Sequence, residues 1–512
     1  MDTACTLTPT PAEEQPIERP PQEIVHWILG VSLVLGVAAD GLLRTVPFGI
    51  NAAFFVGLLC LVLAWGWQRH KEQAPCWHLL GLMLLLGLFM TWRDSSVLHG
   101  LNVMAILTLL ALLVARPTRH GLHTTTLASL FWNMSWGATE AAYTPFSLFG
   151  RETDWRQASK RVQPRHSRRI LYGLALALPL LLVFTLLFIA ADAVFKHMIE
   201  TTSNRVAEMM LDNQYLAKHV LCSLVFFLMA TLIVRPMTLG KKWEQSDVTS
   251  SPSWVPGRIE LSIAMGSVLA LFLLFVVIQF RYLFGGDQLV RTIPGLTYAT
   301  YARKGFFALL CVVLLVHIVL MAGAWLVKGA DSRTGRLYRT LGLGLAALTG
   351  FIFASAFFRM HLYVEAYGLT QLRFYAVTIL IWLALVFLIL IVRLVWPNWT
   401  FFTSGYLYSL LVILVLLNIS NPDSLIARVN LHRVTQDRTL DAEYLQKLST
   451  DAIPTILRYD EHLPAEDRDM LLSEILYDRT TNATGWRSWN LSRARAKRQL
   501  PEIVQLLRLL ED

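Results

Sequence analysis

Between residues 359 and 373 the sequence reads RMHLYVEAYGLTQLR, which sets Arg359, His361, Tyr363, Glu365, Tyr367, Gln371 and Arg373 close together. Arg359, Arg373 and, from the separate stretch YARKGFF at 301–307, Arg303 offer forked donors suited to a carboxylate or phosphate. Arg359, Tyr363 and Tyr367 are spaced by four and would share one helical face, while Glu365 could reach Arg373 after a turn at Gly368. The candidate polar cluster is therefore Tyr301, Arg303, Arg359, Tyr363, Glu365, Tyr367 and Arg373. Its chemistry favours recognition over catalysis, because Glu365 is the only acid within 359–373 and neither a nucleophile nor paired carboxylates stand beside it. No phosphate loop, zinc motif or cofactor fingerprint is present, so no catalytic, cofactor-binding or metal-ligating residue is assigned. The structural alternative is that these groups satisfy one another and the exposed backbone, packing the C-terminal tail onto the rest of the chain.

The elements that must position this cluster are membrane helices. Of the 512 residues, 55% are hydrophobic and 16% charged, more apolar than a water-soluble domain requires. Uninterrupted apolar runs near the roughly 20 residues of a spanning helix predict an all-α polytopic protein. Eleven spans are expected, with cores at 24–43, 48–67, 77–92, 97–115, 170–191, 219–235, 259–280, 305–327, 340–358, 374–396 and 402–419. In the ninth, Gly342, Ala346, Gly350 and Ala354 recur every four residues and predict a stripe along which a neighbouring helix approaches closely.

Arg and Lys in the connections set the orientation. The N-terminal side carries 21 of them and the opposite side 11, so the N-terminus is expected in the cytoplasm and the tail from Ser420 outside it. The net charge of +9 is then a topology signal that leaves no case for nucleic acid as a partner; the partners expected are the bilayer and an anionic ligand or lipid headgroup. The 5 cysteines fall within helices or on the cytoplasmic side and offer no disulfide framework.

Five regions follow. Residues 1–23, with five prolines, read as a disordered cytoplasmic tail, and 24–115 as a four-helix membrane region whose first helix stays uncleaved. Within it, Asp40 reads as an interfacial carboxylate reaching headgroup water. Residues 116–169 form a basic cytoplasmic connection, with an interfacial helix around Trp132 and Trp136. Seven helices occupy 170–419, joined by an external segment at 192–217 and by a glycine- and proline-containing one at 281–304. His317, alone at mid-span, reads as a neutral histidine bonded across to another helix. Residues 420–512 form a small helical tail domain closed by the amphipathic run PEIVQLLRLLED.

Three stretches carry a resemblance: YARKGFF, RMHLYVEAYGLTQLRFY at 359–375, and NPDSLIARVNLHR at 421–433 followed by LDAEYLQKLSTDAIP. With IAADAVF at 189–195, in this order and spacing, they resemble the bacterial multi-pass membrane family classed as a domain of unknown function, the 4153/4173 group, over about 170–460. The resemblance implies a location in the bacterial inner membrane and no activity. Three functions stay open: a non-enzymatic envelope protein that binds a ligand or partner through the external cluster, a transporter with polar candidates at Asn51, Gln279 and His317, or an enzyme acting on a lipid-linked anionic substrate at the outer leaflet.

Overall fold

The computed structural model describes residues 20–44, 47–69, 77–115, 214–239, 255–284, 298–397, 402–434, 440–459 and 485–499, with short pieces between 135 and 198 and near 399 and 462–471. Every regular element among the described residues is helical: α1 (Gln22–Leu43), α2 (Ile50–Arg69), α3 (Trp77–Trp92), α4 (Ser96–Ala115), α5 (Gln214–Leu239), α6 (Arg258–Phe284), α7 (Tyr298–Leu326), α8 (Ser332–Tyr367), α9 (Gln371–Val395) and α10 (Phe402–Ser420). The tail adds α11 (Pro422–Val434), α12 (Ala442–Gln446), α13 (Ile453–Arg458) and α14 over 491–499.

Among the described residues nine helices are long and apolar enough to cross a membrane, and α3 is a shorter apolar one. Their outward faces carry bare hydrocarbon, with Leu61, Ile259 and Leu315 each more than 60% exposed, as expected where lipid rather than water surrounds them. The fifth expected span, at 170–191, lies outside the described residues, as do residues 1–19 of the N-terminal tail, Trp132 and Trp136 of the expected interfacial helix, the segment at 192–213 apart from Met198, and the run 501–512.

The chain divides into two compact units. One comprises Met1–Gly41, Trp65–Lys71 and Ala138–Lys241. Within it α1 and α5 approach closely at Gly36, where an added Cβ would lie 2.7 Å from Ser223 O and 2.8 Å from Phe227 N. Asp40 is buried there against His219 of α5, not in headgroup water, because the crossing of the two helices closes over it.

The other unit comprises Leu42–Ala64, Glu72–Gly137 and Lys242–Asp512. Its centre is α8, which packs against α6, α7 and α9 through Leu345, Ile352, Phe353, Ala356 and Met360. At 36 residues α8 is about 54 Å long, well beyond a bilayer's hydrocarbon. It outruns the expected 340–358 at both ends because its caps lie outside the apolar run. Asp331 accepts from Thr334 N at 3.3 Å to start it, and Gly368, at φ 78°, closes it with an N–H to Val364 O at 2.8 Å. The Asp331 carboxylate also takes Arg258 Nη2 at 2.9 Å, and its bonds to Thr334 and Arg258 hold its pKa down at about 2.

The small-residue stripe holds for only half its length. Gly342 and Ala346 are buried, and an added Cβ at Gly342 would lie 3.3 Å from Leu320, whereas Gly350 has nothing within 4 Å and Ala354 is exposed. A spacing of four advances about 40° per step on a helix of 3.6 residues per turn, so three steps carry the stripe about 120° around the axis. Small side chains at this spacing cannot all face one neighbour.

Candidate functional site

Arg359, Tyr363 and Tyr367 lie in the last turns of α8, which continues helical to Tyr367 and so places them on one face. Tyr363 and Tyr367 meet edge to face, with ring centroids 5.4 Å apart. Gly368, Leu369 and the N-cap Thr370, which accepts from Arg373 N at 3.4 Å, turn the chain into α9. This turn folds Arg373 back: its guanidinium stands 4.1 Å over the Tyr363 ring, and Nη1 donates to Tyr367 O at 2.9 Å and Gly368 O at 2.6 Å. The expected Glu365–Arg373 pair does not form. A helix end leaves its last carbonyls unpaired, and Arg373 satisfies them while Glu365 points to the exposed side. Tyr301 and Arg303 lie in the first turns of α7, with side chains outside the described residues.

The tail clamps this knuckle. Asn430 of α11 takes Leu369 N at 2.8 Å on Oδ1 and gives Nδ2 to Leu369 O at 2.7 Å, matching both backbone groups of one residue. Arg433 donates Nη2 to Glu365 O and Ala366 O, each at 3.1 Å. A side chain at Gly368 would strike both, with an added Cβ 2.4 Å from Arg433 Nη1 and 2.7 Å from Asn430 Oδ1. Gln371 completes the join: its N–H reaches Tyr444 Oη at 2.5 Å and its Nε2 reaches the buried Asp423 at 2.9 Å. Leu369 and Phe374 pack on the tail's own apolar core of Ile426, Leu431, Leu445, Leu448 and Ile453.

A second, deeper set of polar groups lies beside it, which sequence reasoning did not find. The α3–α4 connection supplies Arg93, buried, whose Nε and Nη2 donate to Asn418 O at 2.6 Å and Ile419 O at 2.9 Å, the last carbonyls of α10. Its Nη1 lies 3.4 Å from Asp451 Oδ1. Asp451 Oδ2 accepts from Asp94 N at 2.7 Å, while the Asp94 carboxylate takes Thr450 Oγ1 at 2.8 Å and pairs with Arg493 Nε at 3.0 Å. Asn490 ties Met90 O and Arg93 O at 3.0 and 2.7 Å, and Arg493 also donates to Phe48 O. Below these, Asn102 of α4 and Asn418 of α10 exchange side-chain amide bonds at 3.0 Å, both fully buried. Burial pushes the Asp94 carboxyl above its ordinary value despite Arg493, and pulls the Arg93 guanidinium below its own despite Asp451.

Chemically, the two sets do the same work. Arg93 caps α10, Arg373 and Arg433 cap α8, and every carboxylate in the deeper set accepts from a named partner, so these charges join helix ends to one another and to the tail. The other polar residues of interest are likewise engaged. His317 Nε2 meets Tyr406 Oη of α10 at 2.6 Å, so it bonds across to another helix as expected of a lone membrane histidine. Asn51 gathers Leu42 O, Gly49 N and Ala52 N into the turn before α2. The Gln279 side chain lies outside the described residues. Among the described residues no group of three His, Cys, Asp or Glu side chains is placed to hold a metal ion.

Residues 80–459 match a family model described as Domain of unknown function (DUF4153). The match starts well before the 170 expected from the motifs and takes in Arg93, Asp94 and Asn102, while Asn490 and Arg493 lie beyond its end. No curated protein and no solved structure matches the chain.

Proposed function

The chain belongs to the family described as Domain of unknown function (DUF4153) and is a multi-pass integral membrane protein, and from this we propose that it is a non-enzymatic envelope protein of a bacterial inner membrane. In this reading the tail is a fixed external platform that presents a binding surface for a ligand or partner, and the helices anchor it. The observation that carries the reading is the use made of the arginines: Arg93, Arg373 and Arg433 all donate to backbone carbonyls at helix ends. Groups bound in this way hold geometry rather than await an incoming substrate. The exposed side of the knuckle, with Glu365 and Tyr367, remains the surface facing outward beside the clamp.

A covalent lock tests it. Leu369→Cys with Asn430→Cys would join the knuckle to α11 at the point where the two already meet. A platform keeps its cellular function when locked, in a strain whose phenotype depends on the protein. A transporter that rocks its helices, or an enzyme that lifts the tail to admit a lipid-linked substrate, loses function on oxidation and regains it on reduction. That second result overturns the reading.

A further inference from the structure

The segment 485–499, GWRSWNLSRARAKRQ, carries Arg487, Arg493, Arg495, Lys497 and Arg498 and no acidic residue, within a tail of otherwise mixed charge. Its first half is stitched to the beginning of a membrane span. Trp489 O accepts from Ile50 N, the first residue of α2, at 2.8 Å, and Gly49 approaches so closely that an added Cβ would lie 2.4 Å from the same oxygen. Trp486 meets Phe54, one turn further into α2, edge to face with ring centroids 6.3 Å apart. Yet the three rings are far from covered: Trp486 is 64% exposed, Phe54 54% and Trp489 46%.

Large aromatic side chains left open at the end of a span sit at the level where headgroups meet hydrocarbon, the position tryptophan prefers because its ring is apolar and its N–H polar. The chain then continues as α14, in which Ser492 and Ala496 face inward while Arg495, Lys497 and Arg498 are exposed. Arg495 is at most about 7.5 Å of helix beyond Asn490, inside the ~8 Å Debye length over which a charged surface is felt.

We propose that residues 485–499 form an interfacial anchor for the lipid leaflet on the tail's side, with Trp486 and Trp489 seated among the headgroups and Arg495 the principal contact to anionic phospholipid. The occupant is lipid rather than protein because the aromatic face is continuous with the lipid-exposed surface of α2, where Leu61 is 69% exposed. The anchor is separate from the knuckle, is tied to the buried set through Asn490 and Arg493, and would hold the tail on the membrane from a side that the clamp at Leu369 does not reach. Its existence does not depend on which compartment the tail occupies.

The test is hydrogen–deuterium exchange on the full-length protein in nanodiscs of phosphatidylcholine alone or of an equimolar mixture with phosphatidylglycerol. Peptides covering 485–499 should exchange several-fold more slowly in the anionic discs. Arg495→Gln should reduce that lipid dependence by about fivefold, the factor equivalent to about 1 kcal/mol for one cation at such a surface. Trp486→Ala should raise exchange of the segment in both lipids, with the peptides of α11 unchanged. Should Trp486→Ala disturb the fold, the exposed Arg495 still carries the comparison. Equal exchange in the two lipids overturns the proposal, and so does protection that follows protein density instead of lipid charge, which would assign the face to a second copy of the chain.

Discussion

Asp94 shows how burial and pairing compete at a single side chain. Arg493 and Thr450 both favour its charged form, yet burial outweighs them and its pKa lies above the ordinary 3.8. The folded state therefore binds a proton more readily than the unfolded chain, and stability relative to a neutral isostere falls as pH rises from the ordinary value through the raised one. Comparing melting temperatures of the native protein and Asp94→Asn from about pH 4 to about pH 7, the native protein's advantage should shrink with rising pH. An advantage that grows instead would show that pairing with Arg493 dominates. Arg93 has the opposite sensitivity, to loss of its partner. With Arg93→Met, Asp451 is left buried beside uncapped carbonyls of α10, a change that costs about 3–5 kcal/mol. The double variant Arg93→Met, Asp451→Leu should recover part of that in thermal melts, and losses that simply add would refute the coupling. None of this was legible from the sequence, where Arg93 is one basic residue among many in short connections. Its partners Asn418 and Asp451 lie 325 and 358 positions away, and no local spacing reports a bond of that range. The knuckle was legible because its cues are local: a glycine that stops α8, a threonine that caps α9, and tyrosines one turn apart. Its one misread pair, Glu365 with Arg373, was judged by charge alone, while the carbonyls that a helix end leaves open compete for the same guanidinium.

At the scale of elements, length and apolarity foretold the helices well, and their faces poorly. Every expected span within the described residues is a helix, since the bilayer admits few other ways to satisfy a backbone. Which side of α8 meets protein is a finer matter, because membrane helices are apolar all round and the sequence then lacks the polar stripe that marks a surface helix in water. Gly342 and Gly350 separate the two sides. Gly342→Leu must displace Leu320 and Leu394, which already lie 3.3 and 3.6 Å from an added Cβ, and overpacking of that kind costs about 1–3 kcal/mol. Gly350→Leu meets open space and should leave the melting temperature unchanged or slightly higher, since leucine favours helix over glycine. A purified Gly350→Leu protein that melts well below Gly342→Leu would reverse the assignment of the faces. The junction between α10 and α11 is equally compact. Asn421 takes a left-handed φ of 56° to end one helix, and its side chain accepts from Ser424 N at 3.3 Å to begin the next, with Pro422 in the first position. The dipeptide Asn-Pro announces this turn in the sequence; the direction in which α11 then leaves is fixed by Asn430 and Gln371, through contacts to residues more than fifty positions away.

At the scale of the whole molecule, the connections at 47–49, 93–95 and 368–370, the end of α10 and the tail core all meet in one hydrogen-bonded junction. They must therefore lie at one end of the helices, and whatever compartment holds the tail holds them all. We propose the compartment from the basic residues. The connections on the side of Arg44, Arg93, Arg359 and Arg373 carry 11 Lys and Arg, against 21 on the other, and such residues are retained in the cytoplasm when close to helix ends. The tail is excluded from this tally because long segments translocate largely regardless of charge, so its basic run at 487–498 does not argue for the cytoplasm. The expected outcome is that a reporter that is active only in the cytoplasm stays silent when fused after Asp512, and that one active only outside gives signal. A reporter fused within the connection at 328–331, between α7 and α8, should show the reverse. Because the junction ties its connections to the tail, a cytoplasmic signal from the C-terminal fusion would turn them all inward together. It would also place 21 basic residues on the translocated side of the membrane, against the strongest topological rule that applies to this chain.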